Sequence, residues 1–128
     1  MAYENLIRLA EVMNKLRSPG GCPWDAEQTH ASLLKYLLEE SYEFIESVES
    51  GNRQDMREEL GDILLQVYFH SRIAEEDSAD PFTVDDVAKA VTDKLISRHP
   101  HVFADTKVDS SSDVLENWER IKREEKGR

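Results

Sequence analysis

The chain has 128 residues, 39% apolar and 34% charged, and its 16 basic and 27 acidic side chains give a formal net charge of −11. This length suits one domain with one core, and the acidic excess excludes a nucleic-acid backbone as the main partner, because a polyanion is repelled. A single cysteine, Cys22, excludes an intrachain disulfide and argues against a thiolate zinc site. No stretch approaches the roughly 18 apolar residues of a membrane span and no secretory pattern is present, so no membrane partner and a cytoplasmic location are expected.

Apolar residues recur at helical spacing almost throughout. A first helix is predicted from Tyr3 to Leu16, with Leu6, Leu9, Met13 and Leu16 inward. RSPGGCPWD, from Arg17 to Asp25, carries two prolines and a Gly-Gly pair and reads as a loop. Asp25 with Gln28 has capping-box form and opens a second helix reaching about Ser50. Leu33, Leu34, Leu37, Ser41, Phe44, Ile45 and Val48 fall on one side of it.

Gly51 is the expected stop. A third helix follows from about Arg53 to Glu76. It carries Met56, Leu60, Ile63, Leu64 and Val67 on one face and Leu65, Tyr68 and Phe69 round the other. A helix apolar on most sides is central or lies in a subunit interface. After a polar break at Asp77–Pro81, Thr83-Val-Asp-Asp86 has capping-box form and opens a fourth helix to about Ser97. RHPHVFADTKVDSSS reads as an irregular linker in which His99 and His101 flank Pro100. A fifth helix runs from Asp113 to about Lys126, with Val114, Leu115, Trp118 and Ile121 inward. The expected fold is all-α, a single domain over residues 1–128. It is a bundle of about five helices with a central antiparallel pair, whose thin core predicts a homodimer.

The chemistry lies in LLEESYEFIES and EELGD. Glu40 and Glu43 stand three apart beside the apolar face of the second helix, and Glu39 and Glu43 stand four apart. Glu59 and Asp62 repeat the spacing on the third. The short connection makes these helices antiparallel neighbours. At about 1.5 Å per residue both pairs lie at nearly the same height from the turn. Four carboxylates converging there need protons or a cation. All-oxygen ligands suit Mg²⁺ first, with Mn²⁺ possible. A di-iron centre is disfavoured because no paired ExxH is present, and His70 lies about two turns beyond Asp62. Gly61, between Glu59 and Asp62, costs helix stability and suggests a close backbone approach.

At these residues the sequence resembles the MazG-type nucleoside triphosphate pyrophosphohydrolases, of the all-α NTP pyrophosphatase superfamily. EExxE at Glu39–Glu43 and ExxD at Glu59–Asp62 carry the likeness. GGCPWDAEQTHASL before them, and DKLISRHPHVFAD and VLENWERIK after them, extend it over nearly the whole chain. The resemblance implies Glu40, Glu43, Glu59 and Asp62 as Mg²⁺ ligands. Glu39 would be a further ligand or would orient the attacking water. It also implies contacts to the nucleotide from Lys94, Arg98, Trp118 and Lys122. The implied reaction converts an NTP or dNTP to NMP and pyrophosphate, as nucleotide-pool house-cleaning. Many bacterial members carry two such domains in tandem, and this chain most resembles the N-terminal one. Two alternatives stay open: a catalytically weak nucleotide- or metal-binding regulatory module, and a base-selective dNTP pyrophosphatase. Lys94 and Arg98, four apart on one helix face, suit a phosphate clamp. Trp24, in the Pro/Gly loop, could stack on a base or anchor the loop.

Overall fold

The computed structural model describes residues 2–127. Every regular element among them is helical: α1 Glu4–Arg17, α2 Pro23–Glu27, α3 His30–Ser50, α4 Arg53–Ala74, α5 Val84–Arg98, α6 Pro100–Phe103 and α7 Ser111–Glu125. The fold is therefore all-α, as the periodicity predicts. It has seven described helices because two short ones, α2 and α6, fall in segments that read as loop and linker. Both begin at a proline, whose fixed φ suits the first turn. The chain divides into two compact units, Met1–Val84 and Asp85–Arg128.

In the first unit, α1 leads into a tight loop. The Cys22 N–H donates to the Leu16 carbonyl at 2.8 Å and the Gly21 N–H to the Ser18 carbonyl at 2.9 Å. A Cβ on Gly21 would collide with the Lys15 and Leu16 carbonyl oxygens. Arg17, its side chain only 8% exposed, closes the loop from within. It donates to the Asp25 carbonyl at 2.7 Å and the Gln28 carbonyl at 2.9 Å, and pairs with Glu76 at 2.7 Å.

The start of α3 differs from the expected Asp25–Gln28 box. Thr29 is the N-cap and forms a reciprocal capping box with Ser32. Gln28 instead joins α2 to α3, donating to the Trp24 carbonyl and accepting from Ser32 Oγ. Asp25 lies inside α2, and the chain breaks between α2 and α3 at Gln28–Thr29.

The α3–α4 turn forms as predicted. Gly51 takes the left-handed conformation at φ 72°, and the Asn52 side chain accepts from the N–H groups of Gln54 and Asp55 at 3.1 Å each. This reverses the chain so that α3 and α4 pack along each other. Met13, Leu33, Tyr68 and Phe69 form the buried centre, with Leu9, Leu16, Tyr36 and Leu64 packed against it. Tyr68 keeps its hydroxyl satisfied by donating to the Leu6 carbonyl at 3.1 Å.

Near the start of α3, His30 Nδ1 lies 2.8 Å from His70 Nδ1 of α4. The ring planes differ by 4° and the centroids are 5.1 Å apart. That separation is about the nitrogen–nitrogen distance plus a ring radius at each end, so the rings meet edge to edge. One imidazole must donate and the other accept. His70 is therefore engaged away from the carboxylates.

The inward assignment of Leu6 is corrected, since it stands 43% exposed. On the apolar faces of α3 and α4, Leu34, Ile45, Val48, Leu60 and Val67 stand 39% or more exposed. Periodicity marks an apolar face, and this chain covers only the part of each face turned toward Met13 and Leu33. In the second unit, Ser110 caps α7 by accepting from the Asp113 N–H at 3.3 Å. There Leu115, expected inward, is 63% exposed.

Candidate metal centre

The height argument for the two acidic pairs holds. Glu40, Glu43, Glu59 and Asp62 each bring one carboxylate oxygen within 4.8 Å of the others. The Gly51–Asn52 reversal sets the register. The i, i+3 spacing turns both members of each pair toward the neighbouring helix. Glu43 is exposed and the other three are half-buried. Glu39 is exposed and is not one of the four.

The electrostatics show the strain of this arrangement. Burial pushes the Glu40 carboxyl up to about 7 from an ordinary 4.5. The charges of Asp62 and Glu43, proton sharing with Glu43 and the charge of Glu59 add to the rise. Glu59 is also raised, first by burial and then by Glu43 and Asp62. Glu40 Oε2 and Glu59 Oε2 are buried with no hydrogen-bond partner. A buried acceptor without a donor is costly. A cleft lined by Glu43, Glu46, Ser47, Ser50, Asp55 and Glu59, about 470 Å³, opens beside the cluster on the side of the turn. Anionic all-oxygen donors with two unsatisfied buried oxygens fit a hard divalent cation.

Gly61 gives a different result from the one expected. A Cβ there would meet nothing within 4 Å. No described residue makes the close approach that the glycine suggested.

The remaining candidates lie outside the cluster. Trp24 is 48% exposed and packs edge-on against Tyr36, with centroids 5.9 Å apart; it anchors α2 to α3. In the second unit, Lys94 is exposed and Lys122 half-buried. Arg98 is only 7% exposed. Its guanidinium lies 5.2 Å from the Trp118 ring centre and pairs with Glu125 at 3.1 Å. His99 meets Trp118 edge-on at 5.1 Å, and its Nδ1 lies 2.6 Å from the Leu95 carbonyl. Arg98 is thus not the freely solvated half of a helix-face pair. Glu125 has no place in the sequence reading. Its signal is the spacing of two helical turns from Trp118, which puts both on one face.

Antiparallel helices that gather four carboxylates for a hard cation define a class of all-α metal-binding proteins. The profile of the MazG nucleotide pyrophosphohydrolase domain matches residues 28–103, a segment that includes all four acids. The chain belongs to that family. It is 52% identical over 120 residues to the nucleoside triphosphate pyrophosphohydrolase/pyrophosphatase MazG of Thermotoga maritima, covering 94% of this chain and 45% of that protein. It is 48% identical over 120 residues to the nucleoside triphosphate pyrophosphohydrolase of Escherichia coli K12, covering 93% and 45%. It is 47% identical over 126 residues to the uncharacterized protein YabN of Bacillus subtilis, covering 98% and 25%. The chain thus spans between a quarter and a half of the length of these curated relatives. Among solved structures it resembles a mazG-related protein of Thermotoga maritima, at a TM-score of 0.71 and 26% identity, over 94% of this chain and 98% of that one. No described helix is long and apolar enough to cross a membrane.

Proposed function

We propose that the chain hydrolyses nucleoside triphosphates, NTP or dNTP, to NMP and pyrophosphate, with residues 1–128 working as one domain. The observation that carries this is the four-carboxylate cluster with its two unpartnered buried oxygens, inside a segment that matches a nucleotide pyrophosphohydrolase family. Relatives over the same residues are named for this activity.

In this reading Glu40, Glu43, Glu59 and Asp62 would hold Mg²⁺, or Mn²⁺ in its place. The bound ion would supply charge neutralisation of the polyphosphate and acidification of water. Glu39 and Glu40 orient the attacking water. Water oxygen forms the new bond to the α phosphorus and releases a proton to solvent, the bond from the α phosphorus to the bridging oxygen breaks, and pyrophosphate leaves with that bond's electron pair. Lys94 and Arg98 take up negative charge on the phosphates. Trp118, Lys122 and Trp24 contact the rest of the nucleotide. The exposed apolar side chains Leu34, Leu38, Tyr42, Ile45, Val48 and Leu60 on α3 and α4 support assembly as a homodimer. Nucleotide-pool house-cleaning in the cytoplasm is the role that suits this chemistry.

The test is incubation with each canonical NTP and dNTP in Mg²⁺, with NMP and pyrophosphate quantified. Glu40→Ala and Asp62→Ala should abolish pyrophosphate release while the helical circular dichroism persists. Turnover like wild type in either variant removes the site assignment, and tight nucleotide binding without products removes the enzymatic reading.

A further inference from the structure

The cationic end of α5 already holds an anion that belongs to the chain itself. Glu125 Oε1 accepts a short 2.6 Å hydrogen bond from Ser97 Oγ. Its Oε2 accepts from Arg98 Nη2 at 3.1 Å and from Arg98 Nε at 3.3 Å. Lys94, one turn earlier on α5, adds its attraction to the same carboxylate. A hydroxyl and the edge of a guanidinium therefore hold one carboxylate, with an ammonium one turn away attracting it at longer range, and this is the donor set that takes phosphate oxygens. The occupied Nε–Nη2 edge is also the fork through which arginine binds phosphate bidentately.

We propose that Glu125 is a resident competitor for this cradle: it holds Arg98 against Trp118 while no ligand is bound, and phosphate oxygens of the ligand displace it. This rests on the reading of Lys94 and Arg98 as triphosphate contacts. Arg98 has a side chain only 8% exposed, and a guanidinium buried there without a partner would be strongly destabilising. Glu125 prevents that state. It is also easily displaced. Its side chain is 36% exposed, and it is the last residue of α7, where terminal carbonyls have no partner within the helix and the final turn frays readily. A phosphate chain brings more charge and more acceptors than one carboxylate, so exchange favours the ligand.

Calorimetric titration of the whole chain with inorganic pyrophosphate in Mg²⁺ tests this. Arg98→Ala should weaken binding at least about tenfold. Glu125→Gln and Glu125→Ala should each tighten it about two- to fivefold, the range expected for loss of a partly exposed ion pair. Arg98→Lys, which keeps the charge and loses the fork, should also weaken binding and stands in if Arg98→Ala does not fold. Binding unchanged in the Arg98 variants overturns both the phosphate role of Arg98 and the competitor. Weakened binding in the Arg98 variants, with unchanged or weaker binding in both Glu125 variants, overturns the competitor alone.

Discussion

Replacing Glu40 with glutamine should stabilise the metal-free protein above pH 7 and remove its response to Mg²⁺. In the folded chain the Glu40 carboxyl sits at about 7, against an ordinary 4.5, through burial first and the neighbouring Asp62 and Glu43 second. A raised folded-state value means that the native chain binds more protons than the unfolded chain in this window. Stability therefore falls as pH rises from about 4.5 to about 7, and the full penalty is present above that. At about 1.4 kcal/mol per pKa unit the ceiling is about 3 kcal/mol, and water around the partly exposed cluster screens this to about 1 kcal/mol. Glutamine has the shape of the protonated acid without the charge. Glu40→Gln should then gain about 1 kcal/mol at pH 8, about 3–5 °C in Tm for a chain of this size, and only about a quarter of that at pH 5. Wild type should gain about 2.7 kcal/mol when Mg²⁺ reaches a hundred times its Kd, and the variant should lose most of that gain. Circular-dichroism melts at fixed protein concentration, in EDTA or MgCl₂ at pH 5 and pH 8, read both effects. A variant that melts below wild type in EDTA at pH 8, or one that Mg²⁺ stabilises as much as wild type, would refute a cluster held apart by repulsion and joined by a cation.

Three further outcomes concern the frame around the cluster. Leu33→Ala, at a position 1% exposed in the core, should cost about 2–5 kcal/mol in urea unfolding; a loss below about 1 kcal/mol would place Leu33 outside the core. Arg17→Met keeps the length of the side chain but strips the Asp25 and Gln28 carbonyls of their donor and leaves Glu76 paired with Arg72 alone. It should cost about 2–4 kcal/mol and expose the Arg17–Gln28 segment to protease earlier than the rest of the chain; unchanged cleavage would mean that the loop holds without it. Gly61→Ala should add about 0.5–1 kcal/mol, because its Cβ meets only open space in this chain. Destabilisation that grows with protein concentration would instead place a second copy of the chain against Gly61.

Much of the site was legible because it depends on local rules. Spacing of i, i+3 on two helices, with a glycine-ended reversal between them, puts Glu40, Glu43, Glu59 and Asp62 at one height wherever the rest of the chain goes. The α3 start differs from the expected one because Asp25–Gln28 has capping-box form, whereas the Thr29–Ser32 pair that caps the helix lacks the Glu or Gln by which such a box is read. Only the packing of α2, tied down by Arg17 and Gln28, decides between them. Arg98 was legible as a cation one turn from Lys94, but its pairing with Glu125 was not, because the spacing of Glu125 from Trp118 fixes a shared face and not what that face meets.

The amino-acid sequence by itself determined the five long helices, the turn at Gly51–Asn52 and the meeting of four acids, since each follows from dihedral preference and helical period over a few residues. Tertiary structure decided the rest. Burial set the Glu40 carboxyl near neutrality, Glu125 took the open edge of Arg98, and only part of each apolar stripe found cover within the chain. Desolvation, ion pairing and burial depend on groups distant in sequence, and no local period encodes which of them will meet.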